Sequence, residues 1–434
     1  MIKFIKKQPP VRLIAGGFML AILLGSLLLM LPISLNDGVK LRYIDSLYTS
    51  VSAVCVTGLT TVEVGSTFSI FGRSVIAVLI QIGGLGVATV GAGLIALMGK
   101  KMDLKSRNLV HEAMNLDSGN GVVRFLKEVF ITTVVIELIG AILSFAAFLR
   151  YYDWKTALGY GVFHSISAFN NAGFDVFGTG TNLAPFKDDV ILNLVTSGLI
   201  ILGGIGFLVI KEVCVRKFKI KKYSVHAKVA LLMTGALLLG GTLFIKLTEG
   251  ENISWLGAFF SSVTARTAGF STYSFGAFTN AGLAVMMLLM FIGASSGSTG
   301  GGIKTTTFFV IIKSIVAASR RGEVTVFKYS VSKEIYKRAS VIAFIGISVI
   351  ASSTFLLALL EPHIAFQDIM FEMVSAFATV GVSTGISADL SVPSKLVSIA
   401  VMYIGRLGPL TVASLWGFSK TSLVRYPDGN LAIG

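Results

Sequence analysis

The sequence predicts an all-α membrane protein of four repeated units, each a span, a short re-entrant pore helix and a second span, giving eight transmembrane helices around a pseudo-fourfold central pore. Three observations predict it: an apolar composition, a regular alternation of long and short apolar runs, and a glycine motif that recurs four times. Of 434 residues, 54% are hydrophobic and 14% charged, with a mean hydropathy of +0.81. An ordinary soluble domain has about a quarter of its residues charged.

Runs long enough to cross a hydrocarbon core of ~30 Å fall at residues 13–33, 74–98, 128–149, 188–210, 229–247, 281–316, 340–360 and 394–417. Within each pair lies a shorter apolar segment, at 43–57, 157–172, 253–268 and 366–380, interrupted by Ser, Thr, Asn or Arg. Irregular backbone at membrane depth survives only against protein or a water-filled cavity, so these four segments are expected to face a shared interior. The units are read as residues 1–98, 99–210, 211–316 and 317–434.

Each short segment ends in the same way: SAVCVTG to Gly58, SAFNNAG to Gly173, VTARTAG to Gly269 and SAFATVG to Gly381. A second glycine set follows in register, IGGLG at 82–86, LGGIG at 202–206, IGASS at 292–296 and IGRLG at 404–408. Helix packing explains single glycines in spans but not two sets that align across four divergent segments. A chain that leaves a helix to aim successive carbonyls at one point needs backbone angles costly for a residue with a Cβ. Gly58, Gly173, Gly269 and Gly381 supply them, and Val56, Thr57, Asn171, Ala172, Thr267, Ala268, Thr379 and Val380 are expected to add carbonyls, their side chains turned away. A ring of carbonyls, with short helices directing their negative ends at it, suits a desolvated monovalent cation.

The formal net charge of +15 raises the possibility of nucleic acid, but its placement points elsewhere. Of 37 Lys and Arg, 25 lie in residues 1–12, 99–124, 211–228, 313–338 and 418–434, which join one unit to the next or form a terminus. Eight spans put all five stretches on one side, and the positive-inside rule makes that side cytoplasmic. A multi-pass protein of the cell membrane with both termini inside follows, with an uncleaved first span after the basic N-terminus. Cys55 and Cys214 are too few for a disulfide framework or a metal site and are read as free thiols.

Several polar residues need their own account. Asp45 and Asp368 precede short segments, where helix capping competes with a cation-attracting vestibule. Asp175 and Glu63 follow filter glycines and are placed near an outer mouth. Arg406, within the last span, is expected to line a water-filled path as a barrier beneath the glycines. Arg266 is read as a brace, paired with Glu372 or Glu137. The sixth span is interrupted by GASSGSTGGGIKTTT, from Gly293 to Thr307, a composition that does not hold a helix. It is expected to be a loop at membrane depth and a flexible gate, whereas the other second spans read as continuous helices. A phosphate-binding loop around Lys304 fails on spacing and on the missing strand.

Four units with a filter glycine each, a disrupted sixth span and an arginine in the last span together resemble the Trk/Ktr/HKT superfamily of cation transporters, over nearly the whole chain, and most of all the bacterial KtrB-type membrane subunits. The resemblance implies potassium as the substrate ion, held by the twelve residues named above, and sodium as an activator. It implies a homodimer with one pore per protomer, in membrane lipid, on an octameric cytosolic ring of RCK-domain (KtrA-type) subunits that bind ATP or ADP. No cofactor of the chain itself and no nucleic-acid partner is expected. Stretches 99–124, 211–228 and 313–338 are the candidates for contact with the ring. The family's intramembrane gate maps onto Gly293, Ser295, Ser296, Gly297, Ser298, Thr299, Gly300, Gly301, Gly302 and Lys304, and its pore-lining arginine onto Arg406. Some plant relatives that favour sodium carry serine at the first filter position, which here is Gly58, so potassium is the implied preference.

Two other classes compete. A proton- or sodium-coupled symporter with a carrier cycle needs ionisable groups at the midplane, of which Glu137 is the clearest, and such carriers usually have two repeats rather than four. A membrane-embedded enzyme finds no support in the scattered His111, His164, His226 and His363, with His164 placed at the opening of the second short helix and assigned to packing.

Overall fold

In a computed structural model, the structure describes residues 10–87, 89–92, 122–178, 180–217, 219–320 and 322–414. The basic stretch 99–121, both termini and the end of the last predicted span lie outside the described residues. The described helices fall into four sets of the same order. The first helices are Pro10–Leu29, Val122–Phe148, Val225–Glu249 and Lys333–Leu360; the short helices are Tyr43–Val54, Trp154–Phe169, Trp255–Thr264 and Phe366–Ala378; the second helices are Ile70–Leu85, Val190–Ile205, Asn280–Phe291 and Val392–Leu407.

The four first helices are long and apolar enough to cross a membrane. Leu24, Leu138, Leu239 and Phe344 on them are exposed, as apolar side chains are when lipid rather than water is the solvent. The short helices are the inverse. Nearly every residue of Tyr43–Val54 from Asp45 onward is buried, and the hydroxyls that interrupt its apolar character bond to carbonyls of the first helix: Ser46 Oγ to Ser26 O at 2.7 Å and Ser50 Oγ to Ile22 O at 2.7 Å. Ser165 Oγ donates likewise to Glu137 O at 2.6 Å and Ser262 Oγ to Leu238 O at 3.0 Å. Polar residues in an apolar segment are thereby satisfied.

The sets close into a ring. The second helix of unit one packs on the short helix of unit two, that of two on three, that of three on four, and that of four back on the short helix of unit one. The closing seam joins residues 350 apart in sequence: Lys395 Nζ to Asp45 Oδ1 at 2.8 Å, and Tyr48 Oη to Ser398 Oγ at 3.0 Å.

Three expectations are corrected here. The second helices are not continuous. Those of units one, two and four are 16 residues long, about 24 Å at 1.5 Å per residue, and each stops at a left-handed glycine: Gly86 at φ 84°, Gly206 at 95° and Gly408 at 88°. A helix cannot pass through such a residue. After Gly206 the chain resumes as Phe207–Arg216, bent by 100°. Asp45 and Asp368 do not cap their helices; the cap positions are Arg42 and Ala365, and both aspartates sit in the first turn. Asp45 instead accepts from Lys395 Nζ, Thr61 Oγ1 and Arg42 Nε, each at 2.8 Å. His164 lies well inside its helix, not at its start, with Nε2 2.8 Å from Thr196 Oγ1 and its ring against Phe148 and Phe270.

Candidate functional site: a ring of four glycine turns

The glycines that end the motifs converge. A Cβ built on Gly58 would lie 2.7 Å from Ala172 O, one on Gly173 2.7 Å from Ala268 O, and one on Gly269 2.6 Å from Val380 O, while one on Gly381 would overlap Thr57 O. Each turn thus faces the carbonyl before the next glycine, in chain order, and the ring closes on itself. All four glycines are left-handed, at φ 97°, 67°, 84° and 95°, so an L side chain there meets both strain and a neighbouring turn.

Two residues earlier in every turn is a second left-handed residue, and none is glycine: Val56 at φ 51°, Asn171 at 56°, Thr267 at 72° and Thr379 at 50°. Three of these four are β-branched, for which positive φ is a true outlier. The intervening Thr57, Ala172, Ala268 and Val380 are not left-handed. Backbone of alternating hand turns successive carbonyls to one side, unlike a strand of uniform hand. Among the described residues, none of the carbonyls of Thr57, Ala172, Ala268 and Val380 accepts a hydrogen bond.

The amides of the turns are held from behind. Thr57 N donates to Ser52 O at 2.8 Å, Ala172 N to Ser167 O at 2.8 Å and Val380 N to Ser375 O at 2.9 Å, with Ala268 N bonding to Thr264 O at 3.0 Å. The serine hydroxyls complete the fixation: Gly58 N donates to Ser52 Oγ and Gly381 N to Ser375 Oγ, both at 3.0 Å. In the other two turns the hydroxyl reaches forward, Ser167 Oγ to Phe174 O at 2.8 Å and Thr264 Oγ1 to Phe270 O at 2.6 Å. These four hydroxyls are site residues that sequence reasoning passed over, although the serine opening three of the four motif copies was the signal.

Above the glycines opens a cavity of about 410 Å³ lined by all four of them and by Glu63 and Asp175, as the sequence placed those carboxylates. Asp175 accepts from Phe177 N at 3.2 Å and Asn182 Nδ2 at 3.1 Å. Burial, and after it the nearby Glu63 carboxylate, push its pKa up to about 6.

Beneath the turns lies the segment between Asn280–Phe291 and Thr305–Ser319, non-helical as its composition predicts. It folds back on itself through the Ile292–Ile303 bridge, with Ser295 Oγ 3.0 Å from Thr305 Oγ1 and Ser296 Oγ 3.1 Å from Thr306 Oγ1. The helix break of unit two receives it: Ser295 N donates to Gly204 O at 2.9 Å, Thr299 N to Gly203 O at 3.2 Å, and Phe207 N to Gly297 O at 2.9 Å. Gly300 and Gly301 press on the Thr267 and Thr379 hydroxyls so closely that a Cβ on either would overlap them. Lys304 Nζ donates to Gly300 O at 2.7 Å and Gly301 O at 3.3 Å. Ser298 Oγ is buried without a partner among the described residues.

Arg406 ties this loop to the other side of the ring. Its guanidinium donates to Thr299 O and Gly83 O, and to Gly84 O at 3.3 Å, joining units four, three and one in one side chain. Five N–H donors in a fixed fork suit three carbonyls. The brace expected of Arg266 is not formed. Glu372 bonds to Ser387 and Glu137 to Asn170 Nδ2 at 2.9 Å, whereas Arg266 Nε has no partner among the described residues.

The second glycine set has a packing role the sequence did not disclose. A Cβ on Gly83, Gly203 or Gly405 would overlap the carbonyl of Val54, Phe169 or Phe377, in each case four residues before the turn glycine. Gly293 breaks the pattern, facing Gly301 and Gly302 of the loop. Cys55 and Cys214 are free, the first buried and the second exposed.

Comparisons with known proteins agree with this architecture. The family model described as TrkH, a cation transport protein, matches residues 18–245 and 231–417. The chain is similar to the Ktr system potassium uptake protein B of Bacillus subtilis, 39% identical with 100% of this chain and 98% of that protein covered. It is similar to the protein of that name from Vibrio alginolyticus, 37% identical over 98% of this chain and 94% of the relative. The potassium/sodium uptake protein NtpJ of Enterococcus hirae is 37% identical, covering 99% of this chain and 98% of its own. In fold, the crystal structure of the potassium transporter TrkH from Vibrio parahaemolyticus matches with a TM-score of 0.73, covering 93% of this chain and 85% of the other, at 17% identity. The protein is therefore a membrane transport protein rather than an enzyme, and it belongs to the TrkH family of cation transport proteins.

Proposed function

We propose that this protein takes up potassium through a pore along the ring axis, with the four glycine turns as selectivity filter. The observation that carries the reading is the closed ring of unbonded carbonyls from Thr57, Ala172, Ala268 and Val380, held by backbone of alternating hand. Such oxygens replace the hydration shell of a bare monovalent cation. Eight membrane crossings, two per unit, follow from the same reading, each second helix being shortened because its inner end opens onto the ion path.

The loop from Gly293 to Lys304 acts as the gate. It is pinned between the unit-two helix break and Arg406, directly under Thr267 and Thr379, so ions pass only when those bonds are released. The names of the relatives support potassium as the substrate and sodium as a second ion that the system handles. Regulation by a nucleotide-binding cytosolic ring and pairing into homodimers are part of the same proposal, resting on the family resemblance. The coupled-carrier reading is weaker, because Glu137 is engaged by Asn170 as a link between helices.

Growth tests the proposal. Cells without potassium uptake systems of their own, given this chain and a matching ring subunit, grow at low external potassium in the presence of sodium. Failure of that rescue, with the protein present in the membrane, overturns the assignment.

A further inference from the structure

Beyond Phe207, whose amide bonds to Gly297 O of the loop, the helix that follows the unit-two break makes no hydrogen bond to the glycine turns or to the loop among the described residues. Phe207–Arg216 runs at 100° to the preceding helix, and so lies along the membrane rather than across it. Its depth is set by its neighbours. Lys211 Nζ pairs with Glu128 at 2.5 Å, near the start of the first helix of unit two, and Glu212 accepts from Ser224 N at 2.8 Å, at the start of the first helix of unit three. Arg124 and Lys228 mark the same level on those two helices. Charged helix starts on both sides place this helix at the headgroup boundary.

One face is committed to protein: Phe207 lies in one buried apolar cluster with Phe125, Leu126 and Phe169, whose ring it meets edge-on, and Val209 in another with Tyr223, Ala227 and Ala230. The other face is open and has two kinds of residue side by side. Val215 is 72% and Ile220 63% exposed. Beside them Lys217, Lys219, Lys221 and Lys222 are exposed, and residues 211–228 contain seven Lys or Arg and one acidic residue, Glu212. The turn is held in shape, with Lys228 Nζ donating to Lys221 O at 3.0 Å and Tyr223 Oη to Lys217 O. An in-plane helix with apolar side chains beside a dense, almost unopposed lysine cluster has the two features of an interfacial anionic-lipid site, acyl insertion and headgroup attraction.

We infer that Phe207–Arg216 with the turn to Lys222 is a binding site for anionic phospholipid of the cytoplasmic leaflet, the phosphate group held by the lysines and the acyl chain lying against Val215 and Ile220. Charge complementarity, in-plane orientation and the exposed Val215 and Ile220 at the level of the helix starts favour lipid over a soluble acidic protein.

Cys214 supplies the probe position, exposed on this helix while Cys55 is buried. Full-length protein labelled there with an environment-sensitive fluorophore is reconstituted in bilayers in which a tenth of the lipid is brominated, as either phosphatidylglycerol or phosphatidylcholine. The expected result is several-fold stronger quenching by brominated phosphatidylglycerol. The combined variant K217Q/K219Q/K221Q/K222Q should abolish that preference while quenching by brominated phosphatidylcholine persists, which shows that the helix still lies in the membrane. Equal quenching by the two lipids in the unmodified chain overturns the inference. Quenching by aqueous iodide with none by either lipid also overturns it, and would leave the surface to a soluble partner.

Discussion

The second helix of unit three and those of units one and two begin alike and end differently. Asp189 and Thr279 cap the starts of units two and three in the same way, by accepting from the amide three residues on. The unit-two helix continues for 16 residues to a left-handed glycine, but the unit-three helix stops after 12. In the three longer helices the aligned glycine seats the short helix, letting its last carbonyls touch helix backbone. In unit three the same glycine closes a loop that crosses under the turns. A single alignment register thus serves two purposes, and a nearly fourfold ring of turns rests on an asymmetric floor.

The largest effect should come from the shared part. Gly381→Ala meets both φ 95° and Thr57 O; overpacking of backbone by about 3 kcal/mol corresponds to a loss of uptake of about 100-fold, read as rubidium or potassium influx. Next, Gly405→Ala and Gly293→Ala separate the two purposes. The first drives a methyl into Phe377 O and should lower uptake about tenfold or more. The second displaces only the loop, and should raise flux in liposomes without a regulatory ring. Equal losses in both variants would break the comparison.

Arg406→Ala removes charged hydrogen bonds to Thr299 O, Gly83 O and Gly84 O. At about 1.5–3 kcal/mol for a bond to a charged group, the closed loop should lose a factor of about 10 to 100 in population, seen as ring-independent flux. A smaller effect is expected of Ser375→Ala, which deprives Gly381 N of its acceptor: about 1 kcal/mol, appearing as a fall of about fivefold in potassium over sodium selectivity with expression unchanged. Gly58→Ser should also weaken that discrimination.

The smallest predicted effect concerns the vestibule. Asp175, held up to about 6 by burial and by Glu63, is ionised above that pH and gains a proton as external pH falls through it. Its negative charge, and with it the local cation concentration, is then lost. The apparent affinity for potassium should weaken about two- to threefold between external pH 7 and 5, and Asp175→Asn should flatten that profile.

Much of the fold was legible because its signals are local. Apolar length marks the first helices, and glycine marks places where φ must be positive. The disrupted sixth span could be read from composition alone. What escaped was relational. Gly86, Gly206 and Gly408 were visible in the alignment, yet an apolar run looks continuous in sequence whether or not its helix turns at a glycine. Arg266 and Glu372 looked complementary, but Glu372 is taken by Ser387, and Arg266 Nε, which lines a small space with Ile200, Leu238 and Val263, has no partner among the described residues. The left-handed Val56, Thr267 and Thr379 defy propensity; only packing by the whole ring makes such angles tolerable.

By itself, then, the sequence determined that the chain is a membrane protein of four units, where each chain turn needs a glycine, and which segment cannot be helical, because those properties depend on residues within a few positions of one another. Tertiary structure alone decided that the turns close in chain order, that Asp45 answers Lys395 across the seam, and that Arg406 holds the loop to Gly83. The Asp45–Lys395 and Arg406–Gly83 contacts join residues more than 300 positions apart, and their partners are chosen by how helices pack around a common axis.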